Sequence, residues 1–100
     1  MKTELVMVKW SDSRQPTAGW GRLAEYKPDG ICECVSVGFL IHNKDGVVAL
    51  APNMADIDSD NMQATGIIHI PTACILEIIK LEETGDPVIS SSRPSCWVPA

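Results

Sequence analysis

The sequence predicts a mainly-β domain built around one long, bent strand that two halves of a small barrel share. Two apolar runs, 31–41 and 47–51, flank the dipeptide Asp45-Gly46, and Asp-Gly between apolar runs is a strong hairpin signal. At about 3.3 Å per residue the first run would extend roughly 36 Å, which is too long for a flat strand in a small domain. Gly38 within this run is therefore the expected bend, since an internal glycine often marks a bulge or a barrel corner.

The other elements follow from the apolar runs and turn residues on either side of the hairpin. Residues 3–10 are expected to form the first strand, with Val6, Val8 and Trp10 on one face. In chain order the sequence then predicts a loop with a short helix or irregular insert over 20–27, the hairpin, a long polar connection over 53–65, a strand over 66–70, a 3-10 turn over 71–74 and a last strand over 75–81.

This element order resembles that of SH3-like and Sm-like small β-barrels, in which a 3-10 turn links the last two strands. A fragment of a β-sandwich is the alternative architecture. We expect residues 1–83 to form the barrel domain. Residues 84–100 contain three prolines and three consecutive serines, so we expect them to form a flexible tail.

Apolar residues occupy both faces of several predicted strands. In the last strand, Ile75 and Ile79 are expected on one face, and Leu76 and Ile78 on the other. Each Leu or Ile left exposed forgoes roughly 1.5–3 kcal/mol of burial, so a monomer would carry a large apolar patch. We therefore predict a homo-oligomer; the alternative is that the inserts and the tail cover the second face.

The composition limits the classes of partner. The formal net charge of −5 argues against general nucleic-acid binding, because an acidic chain is not attracted to phosphate backbones. The longest apolar runs fall short of about eighteen residues, and the first residues lack the apolar core of a signal peptide. We therefore expect a cytoplasmic protein without a membrane span. Its four cysteines are then expected to be free thiols: Cys32, Cys34, Cys74 and Cys96.

No catalytic motif is recognisable, so we expect a binding protein rather than an enzyme, with no catalytic residues, metal or cofactor. A zinc site made by Cys32 and Cys34 with Cys74, His42 or His69 is a disfavoured alternative, because the spacing is not Cys-x-x-Cys. Residues 56–61 imitate the first half of a calcium loop. That match fails at the positions that require a glycine and a bidentate glutamate, so a solvated acidic loop is the preferred interpretation.

The strongest candidate binding site is a polar segment with an indole at each end. Aromatic stacking combined with arginine contacts is how proteins hold nucleobases and phosphates. The alternative is that both tryptophans plug the ends of the barrel while Asp12 and Ser13 cap a turn. The predicted ligand-binding residues are Trp10, Ser11, Asp12, Ser13, Arg14, Trp20 and Arg22.

Five short motifs lie along residues 5–82: Trp10-Ser11-Asp12-Ser13, Gly19-Trp20, Val35-Ser36-Val37-Gly38-Phe39-Leu40, Leu50-Ala51-Pro52-Asn53 and Ile70-Pro71-Thr72-Ala73-Cys74-Ile75. This string of motifs resembles a family of small tailed-phage and prophage accessory proteins. Thr72 stands where that group carries a lysine, so the resemblance implies no basic pocket at this turn. It implies that the protein neutralises a host defence, for instance by sequestering a nucleotide-like immune signal.

Taken together, these observations favour a non-enzymatic, homo-oligomeric phage or prophage protein that binds a nucleotide-like ligand or a host protein. An Sm-like RNA-binding ring, a structural virion component and a metal-dependent enzyme are the alternatives. The net charge of −5 argues against the first of these.

Overall fold

Antiparallel strands dominate the computed structural model, which describes residues 3–89. The mainly-β class is confirmed, as are the irregular insert after the first strand and the 3-10 turn before the last one. Two 3-10 turns accompany the strands, at Leu23–Glu25 and Thr72–Cys74. In chain order the strands are β1 (Leu5–Asp12), β2 (Cys32–Lys44), β3 (Val47–Ala51), β4 (Asn53–Ala55), β5 (Gln63–Thr65), β6 (Ile68–Pro71) and β7 (Ile75–Lys80).

The predicted hairpin is formed by β2 and β3. Its two turn residues, Asp45 and Gly46, have φ values of 56° and 79°. Two successive positive φ angles are the signature of a type I′ turn, whose twist matches that of the flanking strands. The Asp-Gly dipeptide therefore forms the predicted turn, because both of its residues tolerate the positive φ that this turn requires.

Strand β2 exchanges partners near its middle, which confirms the prediction of a shared central strand. Residues 32–39 pair with β1, and residues 39–44 pair with β3. The ladder to β1 passes through Gly38 without a shift, and the irregularity lies between Leu40 and His42 instead. Gly38 has a different role from a bulge: a Cβ there would stand 3.1 Å from the carbonyl oxygen of Ala51. Glycine thus allows β3 to approach β2 closely at the point where the partners change.

Five strands form one strongly curved sheet in the order β6-β3-β2-β1-β7. Its outermost strands, β6 and β7, are consecutive in the chain and are joined only by the 3-10 turn Thr72–Cys74. The edges of a flat five-stranded sheet would stand about 19 Å apart. A 3-10 turn advances only about 2 Å per residue, so this link spans roughly 8 Å. The sheet must therefore curl until the end of β6 and the start of β7 lie within roughly 8 Å of each other.

The core lies inside the curl. Val6 and Val8 of β1 pack with Val48 and Leu50 of β3 and with Ile70 of β6. All five are buried, although β1 and β6 are not neighbours in the sheet. Contact between non-adjacent strands is what the curvature produces. Partly buried side chains complete this cluster: Trp10, Leu40, Ile68 and Ile75.

The opposite face of the sheet carries a continuous group of apolar side chains. Leu5 stands opposite Phe39, and Met7 lies between Val37 of β2 and Ile79 of β7. Val35 and Val37 are 61% and 47% exposed. We call this group of six side chains the outer apolar face: Leu5, Met7, Val35, Val37, Phe39 and Ile79.

The faces of β7 differ from those that the sequence predicts. A register shift between Lys9 and Trp10 interrupts the β1–β7 ladder. Because of this shift, Ile75 packs against the core whereas Ile79 stands on the outer apolar face. Ile78 lies opposite Val8, on the same side of the sheet as the core, but it is 38% exposed. The expectation that Ile75 and Ile79 share a face is wrong, because simple alternation does not continue through a bulge.

The predicted polar connection over 53–65 contains a small hairpin of its own. Strands β4 and β5 pair with each other and form a separate two-stranded sheet. Asp56 and Asp58 adopt positive φ values of 52° and 64° in the loop between them. The long polar connection therefore contains two short strands that the sequence did not indicate.

Residues 81–89 follow β7 without a regular strand or helix. Most of the predicted tail, 84–100, lies outside the described residues, so the domain boundary at residue 83 stays a prediction. Within residues 3–89, no helix has the length and apolarity that crossing a membrane requires.

Candidate functional site

The β1–β2 loop, residues 13–31, is a long exposed segment that connects two neighbouring strands of the five-stranded sheet. Every residue of this loop is exposed, and its only regular element is the 3-10 turn Leu23–Glu25. Gly19 adopts a φ of 76°, which lets the chain reverse immediately before Trp20. A long loop with little regular structure, anchored on a rigid sheet, is a common location for binding residues.

Hydrogen bonds and an ion pair hold the two ends of this loop together. The Arg14 guanidinium donates a hydrogen bond to the Gly30 carbonyl oxygen and stands 3.6 Å from a carboxylate oxygen of Asp29. The Ser13 backbone N–H donates to Asp12 Oδ1 at 2.7 Å, and the Gly30 N–H donates to Asp29 Oδ1 at 2.8 Å. Asp12 thus has the turn-capping role that the sequence leaves open as an alternative.

Trp10 occupies a structural position. It lies in β1, packs against the core cluster, and its indole N–H donates to the Ser36 hydroxyl at 3.0 Å. Ser11, the next predicted site residue, is opposite Glu33 in the β1–β2 ladder. The alternative interpretation, in which the indole plugs the end of the sheet, therefore describes Trp10.

Trp20 is in the opposite situation. Its side chain is fully exposed, and together with Arg22 it lines an open cleft of about 510 Å³ that residues 17–26 form. The same cleft contains Leu23 and Tyr26, which are 90% and 63% exposed. No carboxylate in residues 3–89 pairs with Arg22. One indole, one phenol, one isobutyl group, one unpaired guanidinium and the Glu25 carboxylate therefore line a single cleft.

The seven predicted site residues thus separate into three groups. Trp20 and Arg22 line one cleft, and Ser13 and Arg14 line a neighbouring cleft that shares Thr17 and Tyr26 with it. Trp10, Ser11 and Asp12 belong to β1. Leu23 and Tyr26 were not among the predicted site residues; the signal that could have found them is their apolar character within an otherwise polar loop.

The cysteines and histidines do not assemble into the zinc site considered above. His42 Nε2 lies 3.1 Å from the carbonyl oxygen of Lys44 in its own strand, and His69 is exposed on β6. Within the described part of the chain, no three His, Cys, Asp or Glu side chains are placed to hold one metal ion.

The acidic loop over 56–61 is organised by its own hydrogen bonds. The Ser59 hydroxyl donates to the Asp56 carbonyl oxygen at 2.6 Å, and Asn61 Nδ2 donates to Asp56 Oδ2 at 3.3 Å. The Asp56 carboxylate therefore accepts a hydrogen bond that stabilises the turn. This role is the one expected in a solvated acidic loop.

Comparison of the chain with protein-family models, with curated proteins and with solved structures finds no match. The function is therefore argued from the residues and geometry described above.

Proposed function

We propose that the protein is a non-enzymatic binding module whose contact element is the β1–β2 loop and whose partner is another protein. The single observation that carries this proposal is the fully exposed Trp20, which shares an open cleft with Arg22, Leu23 and Tyr26. A single exposed apolar residue is normal on a protein surface, but three large exposed ones in one cleft, Trp20, Leu23 and Tyr26, indicate an interaction site.

The composition of the cleft matches that of protein-binding hot spots. Trp, Tyr and Arg are the residues most enriched where truncation costs more than about 2 kcal/mol of binding. A tryptophan also offers a large rigid surface with little side-chain entropy to lose. The fixed loop base at Arg14, Asp29 and Gly30 lowers the cost of ordering the loop on binding.

The distribution of the two arginines favours a protein over a nucleotide-like ligand. Sequestering a phosphate-bearing signal normally takes several donors around the phosphate groups. Arg14 is already engaged with Asp29 and Gly30, so Arg22 is the one loop guanidinium in residues 3–89 without a partner. A nucleotide whose base stacks on Trp20 is the second candidate, which the shared cleft of Trp20 and Arg22 supports.

The scaffold for this loop is proposed to be a closed small barrel of the SH3-like or Sm-like type. The strand order β6-β3-β2-β1-β7 and the short link between β6 and β7 support closure. Self-association through the outer apolar face is proposed as well, because that face leaves Val35 and Val37 substantially exposed.

The biological setting is proposed from the resemblance to phage and prophage accessory proteins. In that setting the protein acts in the cytoplasm of a bacterial host and neutralises a defence component by binding it. An Sm-like RNA ring is less well supported, because the net charge is −5 and an RNA channel needs a basic lining. A structural virion role remains the other alternative, and its presence in purified particles would identify it.

Native mass spectrometry of the protein purified gently from host cells tests this proposal. A complex containing a second kind of protein chain is the expected result, and denaturation should release that chain. A nucleotide-sized mass would replace the protein partner with the nucleotide-like ligand. Recovery of the bare chain alone under all conditions would contradict both forms of the proposal.

A matched pair of variants locates the contact. Trp20→Ala should remove the bound mass, while Leu76→Ala should retain it, because Leu76 is an exposed apolar residue on β7 rather than on the loop. Loss of binding in both variants would place the contact elsewhere or indicate a general effect on the fold.

A further inference from the structure

Two cysteine thiols face each other on β2, outside the loop described above. Cys32 and Cys34 are two residues apart in the strand, so their side chains project from the same face. Their sulfur atoms are 3.8 Å apart, and both residues are half-buried with free thiols. Across the ladder, Asp12 is opposite Cys32 and Trp10 is opposite Cys34.

The separation of the two sulfur atoms suits a bridging metal ion. Two thiolates on a tetrahedral zinc ion at about 2.3 Å each stand about 3.8 Å apart, and the thiols of Cys32 and Cys34 have that separation. We propose that Cys32 and Cys34 form a chelating pair for a thiophilic divalent cation of the zinc and cadmium class. This site is independent of the proposed binding function, and it revises the expectation that the chain holds no metal.

A disulfide between the same residues fits the strand less well. It requires the sulfurs to approach to about 2.0 Å and the Cβ atoms to about 3.8 Å. Residues two apart in an extended strand have Cα atoms about 6.6 Å apart, at the upper end of the range that disulfides span. Oxidation would therefore pull on the end of β2, whereas an ion binds at the present spacing.

The pair supplies half of a tetrahedral coordination shell. Among residues 3–89 no third His, Cys, Asp or Glu is placed to coordinate an ion together with these two. Water would occupy the other two positions, so the site is expected to exchange its ion rather than hold it as a closed structural site. The carboxylate of Asp12, opposite Cys32, adds negative charge that attracts a cation.

Binding is an exchange of protons for the ion. Two thiols and one divalent cation give one dithiolate complex and two protons released to solvent, and no electrons are transferred. Burial raises the pKa of the Cys34 thiol, and the hydrogen bond with Cys32 and the negative charges of Cys32 and Asp12 raise that pKa further. The ion must therefore displace firmly held protons.

Titration of the reduced, full-length chain with Cd²⁺ tests the proposal through the ultraviolet sulfur-to-cadmium charge-transfer absorption. The parent for this experiment carries Cys74→Ser and Cys96→Ser, so only Cys32 and Cys34 remain as thiols. One ion per chain with charge-transfer absorption is the expected result. In this parent, adding Cys32→Ser or Cys34→Ser should weaken Cd²⁺ binding at least tenfold. An unchanged affinity, or binding without charge-transfer absorption, would overturn the proposal.

A second measurement needs no substitution of the pair. Phenylarsine oxide condenses with two close thiols, forming two arsenic–sulfur bonds and releasing one water. The parent chain should gain one arsenical and lose reactivity toward iodoacetamide at both cysteines, and a dithiol should restore it. Continued alkylation of either cysteine would show that the two thiols do not act together, and would overturn the proposal even where a serine variant fails to fold.

Discussion

The indole N–H of Trp10 donates a hydrogen bond to the Ser36 hydroxyl, at 3.0 Å, across the ladder between β1 and β2. This bond satisfies the polar edge of a side chain that otherwise packs on Val8 and its neighbours in the core cluster. It separates the roles of two tryptophans that look equivalent in the sequence. Trp10 belongs to the scaffold, whereas Trp20 is fully exposed and is the residue proposed to contact a partner.

Ser36→Ala should lower the free energy of unfolding by about 1 kcal/mol, because it leaves the half-buried indole N–H of Trp10 without its partner. Urea denaturation followed by tryptophan fluorescence measures this change. Ser13→Ala is the matched control, since the Ser13 side chain is exposed in the β1–β2 loop. Equal stability of the two variants would mean that the bond does not contribute.

Gly38→Ala should destabilise the protein by about 1–3 kcal/mol, because overpacking forces neighbouring groups to shift. The new Cβ would meet Ala51 backbone atoms at 3.1 and 3.2 Å and the Leu50 Cβ at 3.2 Å. Thermal melting provides the measurement. Gly21→Ala serves as the control, since a Cβ there meets nothing within 4 Å. Wild-type melting of Gly38→Ala would disprove the close approach of β2 and β3.

Gly46→Ala should cost about 1 kcal/mol or slightly more, because its φ of 79° is unfavourable for a residue with a Cβ. No steric contact contributes, since nothing lies within 4 Å of the added Cβ. The loss should therefore appear in equilibrium unfolding without a change in far-ultraviolet circular dichroism. A stabilising effect would contradict the type I′ turn between β2 and β3.

Two lysine substitutions distinguish the outer apolar face from the core. Val37→Lys should leave the chain folded and reduce self-association, because Val37 is 47% exposed on the outer apolar face. Ile70→Lys should destabilise the fold instead, because Ile70 is fully buried in the core cluster. Light scattering after size-exclusion chromatography measures self-association, and thermal melting measures the stability of the fold. A wild-type monomer at all concentrations would contradict the proposed self-association.

Features determined by neighbouring residues could be predicted from the sequence. Asp45-Gly46 defines its turn by local conformational preference, and Pro71 introduces the 3-10 turn before β7 because its φ is fixed. The alternation along β1 likewise predicts that Val6 and Val8 share a face, although not that this face is the buried one, because Met7 on the other face is apolar too. Strands β4 and β5 were missed because three residues each provide too weak a local pattern.

Features determined by distant contacts could not be predicted in this way. Whether Trp10 is buried depends on its pairing with Cys34 and on Ser36 beyond it. Arg14 is engaged because Asp29 and Gly30 return to the base of the loop, whereas Arg22 has no such neighbour among the described residues. No local signal distinguishes the two arginines. The candidate site therefore needed the three-dimensional structure, although its most informative residue, Trp20, was among those predicted.

The central claim is that the Trp20 cleft is where a partner binds, and photo-crosslinking in host cells tests it most directly. A benzophenone amino acid replaces Ala18, which lines the Trp20 cleft, in one variant and Leu76 of β7 in a matched variant, since both positions are exposed and lie on different elements. We predict one discrete adduct from position 18, none from position 76, and loss of the position-18 adduct when Trp20→Ala is added. Equal adducts from both positions, or none from position 18 in a folded protein, would contradict the proposed contact.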